Sequence, residues 1–248
     1  MSFIELKKLN LFSKAALLGG VALLVASCSE AQDVSDAGNT TNIEQVADAG
    51  NNIDRVVTSA NVPAADGTVD MDEVLKASPL KEMEMGDANA PVTIVEYMSL
   101  TCPHCANFHK NTFKEIKEKY VDTGKVRFIM REFPFDPRAA AGIMLARCAP
   151  EEQFFPFLDV LFEQQSTWAR AEDARAALLK ISKLAGFTQE QFNTCLTNQQ
   201  LLDDVTEVRN RGANDYGIQS TPSFIVNGSR YSGDMSVDTM SALIDSYL

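Results

Sequence analysis

The sequence predicts an α/β fold whose core is interrupted by a block of helices. Three segments rich in β-branched and other apolar residues, at 92–98, 126–132 and 223–227, have the length and composition of buried strands. Amphipathic helical patterns follow the first and the last of them, and a longer helical block lies between the second and the third. The order strand, helix, strand, helical block, strand, helix is typical of an α/β domain with an insertion.

The N-terminal residues have the features of an export signal. Three lysines precede an apolar stretch of about eleven residues at 15–25, which suits a signal peptide, whereas a membrane span needs about twenty. The stretch ends in Leu24-Val25-Ala26-Ser27-Cys28, which is similar to a bacterial lipobox. We therefore expect residues 1–28 to be a signal peptide and Cys28 to carry a lipid that anchors the protein to a membrane. Ordinary cleavage after Ala31 is the alternative, and both predict a periplasmic protein.

A polar segment follows the signal peptide. Residues 29–67 are rich in Asn, Asp, Ala, Gly and Thr and contain no aromatic residue, so they offer little apolar surface to bury. A short helix is expected around 71–77. We predict a disordered tether over 29–79 and a folded domain over 80–248.

The elements of the domain follow from local signals. Pro91 precedes the first strand, and Cys102-Pro103-His104-Cys105 comes soon after it, with Pro103 suited to the first turn of a helix that runs to about Tyr120. Pro134 and Pro137 close the second strand. The insertion, about 138–211, contains helical patterns at 139–148, 153–162, 172–184, 191–196 and 201–211. An Asn-Gly turn follows the third strand, and an amphipathic helix at 237–248 ends the chain.

The charge of the chain argues against nucleic acid as a partner. Twenty-two Lys and Arg residues against 34 Asp and Glu residues give a net charge of −12, which phosphates repel unless a basic patch is present. The short basic run at 114–119 contains Glu115 and Glu118 and indicates a solvated helix face. We expect no nucleic-acid binding.

The chain contains five cysteines, and export places them in a compartment where disulfides persist. If Cys28 is lipidated, four remain: the close pair Cys102 and Cys105, and the widely separated Cys148 and Cys195. An even number fits two disulfides.

The close pair has the spacing of a redox-active site. At the start of a helix, unpaired backbone N–H groups and the positive end of the helix dipole favour the thiolate of Cys102, and His104 can add a hydrogen bond or a charge. A fall of the Cys102 pKa from about 8.5 to about 4–5 would favour the reduced form by roughly 3–4 kcal/mol at pH 7. The reduction potential would rise by roughly 60–90 mV, which makes the disulfide an oxidant.

A metal site is the alternative interpretation of this pair. Two cysteines at this spacing can form half of a zinc site, and His109, one turn after Cys105, could complete a three-ligand site. The corresponding function is a lipid-anchored copper or zinc carrier. The absence of a second close cysteine pair from the sequence, together with export, weighs against structural zinc.

Two motifs together suggest a family. The segment Tyr97-Met98-Ser99-Leu100-Thr101-Cys102-Pro103-His104-Cys105, a helical insertion, and Ser220-Thr221-Pro222-Ser223-Phe224 resemble the DsbA-like branch of the thioredoxin superfamily over about residues 80–248. The resemblance implies a thioredoxin-like fold with an inserted helical domain, and a protein thiol:disulfide oxidoreductase that uses neither metal nor cofactor. Low thiol pKa and oxidising potential are properties of that family, so the lowered Cys102 pKa and raised reduction potential expected here are also what the resemblance implies.

The resemblance also assigns roles to residues outside the cysteine motif. It implies a cis peptide at Thr221-Pro222, facing the cysteines and pairing its backbone with an extended substrate; a plain strand-initiating proline is the alternative. Alternation places Glu96 on the inward face of its strand with Ile94 and Met98. DsbA-like proteins carry an acid there that moves a proton to or from the second cysteine; the alternative is an exposed acid.

Cys148 and Cys195 lie in different helices of the insertion. We predict a structural disulfide between them, and the alternative is two buried free thiols.

The expected partners are unfolded exported proteins with cysteine pairs, whose thiolates attack Cys102, and a quinone-linked membrane oxidase of DsbB type that reoxidises the pair. An isomerase or reductase, which keeps the pair reduced, is the related alternative. Isomerase relatives carry a folded N-terminal dimerisation module, which the polar tether does not resemble. Thr221 before the proline also occurs in isomerase relatives.

Overall fold

A computed structural model describes residues 62–248, which contain a mixed six-stranded sheet covered by helices. The strands are β1 (Gly67–Thr68), β2 (Met83–Met85), β3 (Val92–Met98), β4 (Val126–Glu132), β5 (Ser223–Val226) and β6 (Ser229–Ser232). The helices are α1 (Met71–Val74), α2 (Pro103–Phe108), α3 (Lys114–Ile116), α4 (Pro137–Cys148), α5 (Phe154–Glu163), α6 (Gln165–Trp168), α7 (Ala174–Leu184), α8 (Gln189–Leu196), α9 (Gln199–Asp215) and α10 (Val237–Asp245).

The spatial order of the strands is β1-β6-β5-β3-β4-β2. β3 and β4 pair in parallel, with Val92 opposite Val126 and Met98 opposite Glu132, and every other pair is antiparallel. The central strands are almost wholly buried, as expected for strands covered on both faces. Helices α4–α9 lie between β4 and β5 in the chain, so the predicted α/β fold with a helical insertion is confirmed.

One long helical rod follows β3. It consists of α2, a π-helical turn at His109–Phe113, α3, and a second π-helical turn at Lys117–Val121. The sequence predicts a single helix to about residue 120, and the two wide turns are not visible in the residue pattern. Such turns are rare and often occur at functional sites.

The insertion begins with a well-defined helix start. The carboxylate of Asp136 accepts hydrogen bonds from the backbone N–H groups of Arg138 and Ala139, and Pro137 occupies the first turn of α4. Trp168 is fully buried and donates its indole N–H to the carbonyl of Leu161. The insertion therefore shares the main apolar core with the sheet.

The predicted start of the folded domain at residue 80 is wrong. β1 pairs with β6, and Val74 of α1 is completely buried against the second face of the sheet. Arg131 of β4 holds this segment by donating to the carbonyl of Val74 and to the carboxylate of Glu82. The short helix expected around 71–77 is present as α1. The two-residue strand β1 leaves almost no local pattern, because pairing with β6 orders it.

The predicted signal peptide, Cys28 and the tether up to residue 61 lie outside the described residues. Within 62–248, no helix combines the length and the apolar composition needed to cross a membrane.

Candidate active site

The first cysteine of the close pair lies where β3 meets the helical rod. Cys102 is the N-cap residue of α2, and its backbone N–H donates to the carbonyl of Ser99 at 3.1 Å. The side chain of Gln165, from α6, donates to the carbonyls of Leu100 and Cys102 at 2.9 and 2.8 Å. The helical insertion thus fixes the loop that presents Cys102.

The surroundings of Cys102 stabilise its thiolate. Hydrogen bonding from the Cys105 thiol is the largest cause, and with the side chain of Thr221 and the backbone N–H groups of Cys105 and His104 it outweighs partial burial. Together they lower the pKa of Cys102 from 9 to about 5. At neutral pH Cys102 is therefore a thiolate, the form that reacts in thiol exchange.

Cys105 has the opposite character. It is completely buried, and burial is the main reason why its pKa lies well above 9. The hydrogen bond to Cys102 and the negative charges of Glu96 and Cys102 act in the same direction. Both cysteines are free in this structure, so the reduced pair consists of one partly buried thiolate and one fully buried thiol.

The loop before β5 faces Cys102. The Thr221-Pro222 peptide is cis, and the Sγ atom of Cys102 lies 3.1 Å from the Thr221 carbonyl oxygen, to which the thiol form can donate. The buried Thr221 hydroxyl has no hydrogen-bond partner among the described residues. It is therefore available to donate to the thiolate.

His104 and Pro103 occupy the exposed first turn of α2. Its position between the two cysteines predicts that the His104 side chain helps to lower the Cys102 pKa. In the structure the backbone N–H of His104 contributes, and the larger contributions come from Cys105 and Thr221. Thr221 lies 119 residues away from Cys102, so spacing along the chain gives no indication of this contact.

Glu96 points inward below the cysteine pair. It is fully buried on β3, opposite Phe224 of β5, and its carboxylate accepts from Nε2 of His109 at 3.0 and 3.1 Å. His109 is thus bound to Glu96 and does not join the cysteines. Residues 62–248 contain no group of three or more His, Cys, Asp or Glu side chains arranged to hold a metal ion.

The geometry therefore argues against the metal-carrier alternative. The proposed ligand His109 is turned toward a buried carboxylate because that carboxylate needs a hydrogen-bond donor once it leaves water. Sequence spacing places His109 one turn after Cys105 but cannot show which way its ring faces.

The structure places the second cysteine pair elsewhere, inside the insertion. A disulfide joins Cys148, the last residue of α4, to Cys195, in the last turn of α8, across 47 positions of sequence. Cys195 is buried, whereas Cys148 is exposed.

Two further contacts at the site escaped the sequence analysis. Gln165 holds the active-site loop, and the Thr101 hydroxyl donates to the Asp136 carboxylate, which also caps α4. Only the Asp-Pro dipeptide at 136–137 has a recognisable pattern, and it indicates a helix start rather than a contact with the loop.

The comparisons with known proteins agree with this geometry. A family model described as thioredoxin matches residues 78–246. A Rickettsia felis protein named "Putative protein-disulfide oxidoreductase" is 35% identical over 168 residues, which are 67% of this chain and 60% of the relative. A Rickettsia conorii protein named in the same way is 33% identical over 199 residues, 80% of this chain and 72% of the relative. The chain thus spans 60% of the length of the first of these relatives.

Solved structures of DsbA-type proteins are also similar to this chain. The crystal structure of Wolbachia pipientis alpha-DsbA1 is 32% identical, with a TM-score of 0.65 over 71% of this chain and 94% of that chain. BdbD from Bacillus subtilis, 21% identical with a TM-score of 0.59 over 67% of this chain and 92% of that chain, shares the fold. The predicted thioredoxin-like fold with an inserted helical domain is confirmed.

Proposed function

Because the chain belongs to the thioredoxin family, and within it to the DsbA-like thiol–disulfide oxidoreductases, we propose that it donates a Cys102–Cys105 disulfide to cysteine pairs of unfolded exported proteins. One observation carries the proposal: the Cys102 pKa is lowered to about 5 while the Cys105 pKa is raised. Stabilising the thiolate of Cys102 favours the reduced pair over the disulfide, and a pair that prefers to be reduced is a disulfide donor.

The reaction begins when a substrate thiolate attacks the Sγ atom of Cys102 in the oxidised protein. The Cys102–Cys105 bond breaks, a mixed disulfide forms, and Cys105 leaves as a thiolate that takes up a proton inside the protein. A second substrate thiolate then attacks the substrate sulfur of the mixed disulfide. Cys102 leaves as a stable thiolate, and the substrate gains one disulfide while the protein gains two electrons.

Glu96 supplies the proton to Cys105 in this proposal. It is buried near enough for its charge to act on the Cys105 thiol, and no solvent reaches that sulfur directly. The Thr221-Pro222 loop, beside Cys102, holds the extended substrate by its backbone. Replacing Glu96 with Gln should slow thiol exchange by about tenfold or more.

The direction of the reaction is tested by equilibrating the Cys102–Cys105 couple with glutathione buffers and assaying oxidation of a reduced, unfolded test protein. We expect a potential well above the roughly −270 mV of thioredoxin. A potential as negative as that of thioredoxin would exclude the oxidase function and favour a reductase or isomerase.

The proposal includes a location and a redox partner. A lipid on Cys28 would anchor the enzyme in the periplasm, and a quinone-linked membrane oxidase of DsbB type would reoxidise Cys102 and Cys105. The apolar stretch and the small residues before Cys28 support the anchor. Mass measurement of the mature N-terminus and fractionation of a Cys28→Ala variant test it: a soluble wild-type protein that begins after Ala31 would exclude it.

A further inference from the structure

A buried histidine nitrogen near the cysteine pair lacks a hydrogen-bond partner. His109 lies at the start of the first π-helical turn, and its side chain is 2% exposed. Its Nε2 atom binds both oxygens of Glu96, whereas its Nδ1 atom is buried and contacts no donor or acceptor of the described protein. A buried polar atom without a partner is costly, which suggests that it serves a purpose.

The His109 ring is held in a defined orientation. It stacks on Phe162 of α5, with ring centroids 4.3 Å apart and an angle of 8° between the planes. Phe113 packs against it from the next turn of the rod. Because Nε2 is bound to Glu96, Nδ1 lies on the side of the ring directed away from that carboxylate.

A crevice adjoins the ring between the helical rod and α5. Its volume is about 200 Å³, enough for several water molecules, and His109 and Phe162 form part of its wall. The charged groups around it are Lys110, Lys114 and Lys117 on the rod and Asp159 and Glu163 on α5. Burial raises the pKa of Asp159, while the charge of His109 acts to lower it, so the two groups interact electrostatically.

We propose that His109 is a positioning residue that exchanges the proton of Glu96 with water in this crevice, so that the buried Cys105 is protonated and deprotonated without contact with bulk solvent. The inference rests on the proposed function, because it concerns the proton that accompanies thiol exchange at the same site. It extends the path beyond Glu96 to the crevice between the helical rod and α5.

One proton moves along this path in each half of the redox cycle. When the Cys102–Cys105 bond breaks, Cys105 leaves as a thiolate and takes the proton held by the Glu96–His109 pair. His109 passes its Nε2 proton to Glu96 and takes a replacement at Nδ1 from water in the crevice. During reoxidation the Cys105 thiol gives its proton to Glu96, which returns a proton to Nε2 of His109 as the Nδ1 proton leaves to the crevice. The Cys105 thiolate then attacks the mixed disulfide at Cys102.

The test uses the full chain and dithiothreitol as the thiol. Reduction of the oxidised protein is followed by stopped flow across about pH 5–9 and corrected for the fraction of reagent thiolate. His109→Gln retains a hydrogen-bond donor for Glu96 but cannot relay a proton, so we expect a corrected rate at least tenfold lower. The pH profile of the rate in His109→Gln should also differ from that of the wild type.

Two controls separate proton transfer from a structural effect. Asn111→Ala changes an exposed residue of the same π-helical turn and should leave the rate within twofold. Imidazole added to His109→Ala should restore the rate severalfold, because the crevice adjoins the vacated site, whereas imidazole should not affect the wild type. An unchanged rate and pH profile in His109→Gln, or no rescue by imidazole, would overturn the inference.

If both His109 variants unfold, Asp159→Asn at the crevice decides the question. We expect its rate to fall about threefold with a changed pH profile, and a wild-type profile would overturn the inference. The glutathione equilibrium of the same proteins reports on the proposed oxidase function independently. His109→Gln should change that equilibrium constant by less than threefold, so failure of one idea does not imply failure of the other.

Discussion

The two cysteine pairs of this protein occupy opposite ends of helices. Cys102 caps the N-terminus of α2, where backbone N–H groups point at its sulfur. Cys148 ends α4, and Cys195 lies in the last turn of α8, so both sulfurs of the second pair lie at helix C-termini. A helix favours a negative charge at its N-terminus and disfavours one at its C-terminus.

This difference supports the two roles proposed for the pairs, a redox-active one and a structural one. Reduction of the first pair yields a thiolate that the protein stabilises, so that disulfide is given up easily. Reduction of the second pair would yield thiols beside exposed helix carbonyl groups, where ionisation is unfavourable, and would open a loop of about 48 residues. Position relative to the helix, as well as spacing, thus separates a reactive disulfide from a structural one.

The largest expected effect is on the rate of thiol exchange, when one pair or the other is removed by mutation. We expect Cys102→Ser to lower the rate of thiol exchange by at least a thousandfold, because no other sulfur at the site is an accessible thiolate. A Cys148→Ala and Cys195→Ala double variant should retain the rate within threefold. Oxidation of an unfolded test protein measures both, and a double variant as inactive as Cys102→Ser would make the second pair catalytic.

The free energy of unfolding should depend on the second cysteine pair more than on the first. Loss of the Cys148–Cys195 disulfide should lower the free energy of unfolding by up to about 4 kcal/mol, from the chain entropy of a loop this long. Cys102→Ser in the reduced protein should have a much smaller effect. Denaturant unfolding compares the two, and equal losses would contradict the assignment of the second pair as structural.

The pH dependence of stability should distinguish the pairs further. The folded pKa of Cys102 is lowered from 9 to about 5, so the thiolate stabilises the reduced protein fully above about pH 9 and loses that effect as the pH falls toward 5. The raised pKa of Cys105 lowers the stability of the reduced protein only above about pH 9. The stability of the reduced form relative to the oxidised form should therefore increase from pH 5 to pH 9, and in Cys102→Ser the increase should be absent.

The smallest effect concerns one hydroxyl group. Thr221→Val keeps the shape of the side chain but removes the donor beside Cys102, so the Cys102 pKa should rise by about one unit. Thr221→Ser, which keeps the donor, is the matched control and should move it by less than half a unit. Titration of thiolate absorbance measures both, and equal pKa values in Val and wild type would remove Thr221 from the thiolate's surroundings.

Elements of the fold can be predicted from the sequence where the residues that stabilise them are close together in the chain. β3, β4 and the helix at Pro103 were predicted because composition, alternation and a proline at the helix start are local properties. The polar composition of 29–67 predicts a tether that extends to residue 79, with only a short helix expected around 71–77. The order of residues 66–79 comes instead from pairing with β6 and from Arg131, which are distant in sequence.

The candidate site shows the same division. Cys102, Cys105 and the inward side of Glu96 follow from spacing and alternation. The bond between His109 and Glu96 depends on a π-helical turn, and the support from Gln165 depends on how the insertion docks. A single glutamine or histidine in a helical pattern has no distinguishing neighbourhood in the sequence, so only the structure reveals these contacts.

The short outer strands have a consequence for a protein proposed to act on unfolded chains. β1 has two residues and β2 has three, and they close the two edges of the sheet. A long open edge would let unfolded polypeptides add as extra strands and would promote aggregation. With both edges blunted, the sheet offers extended chains little free edge, and the proposed contact with substrate is left to the loop beside Cys102.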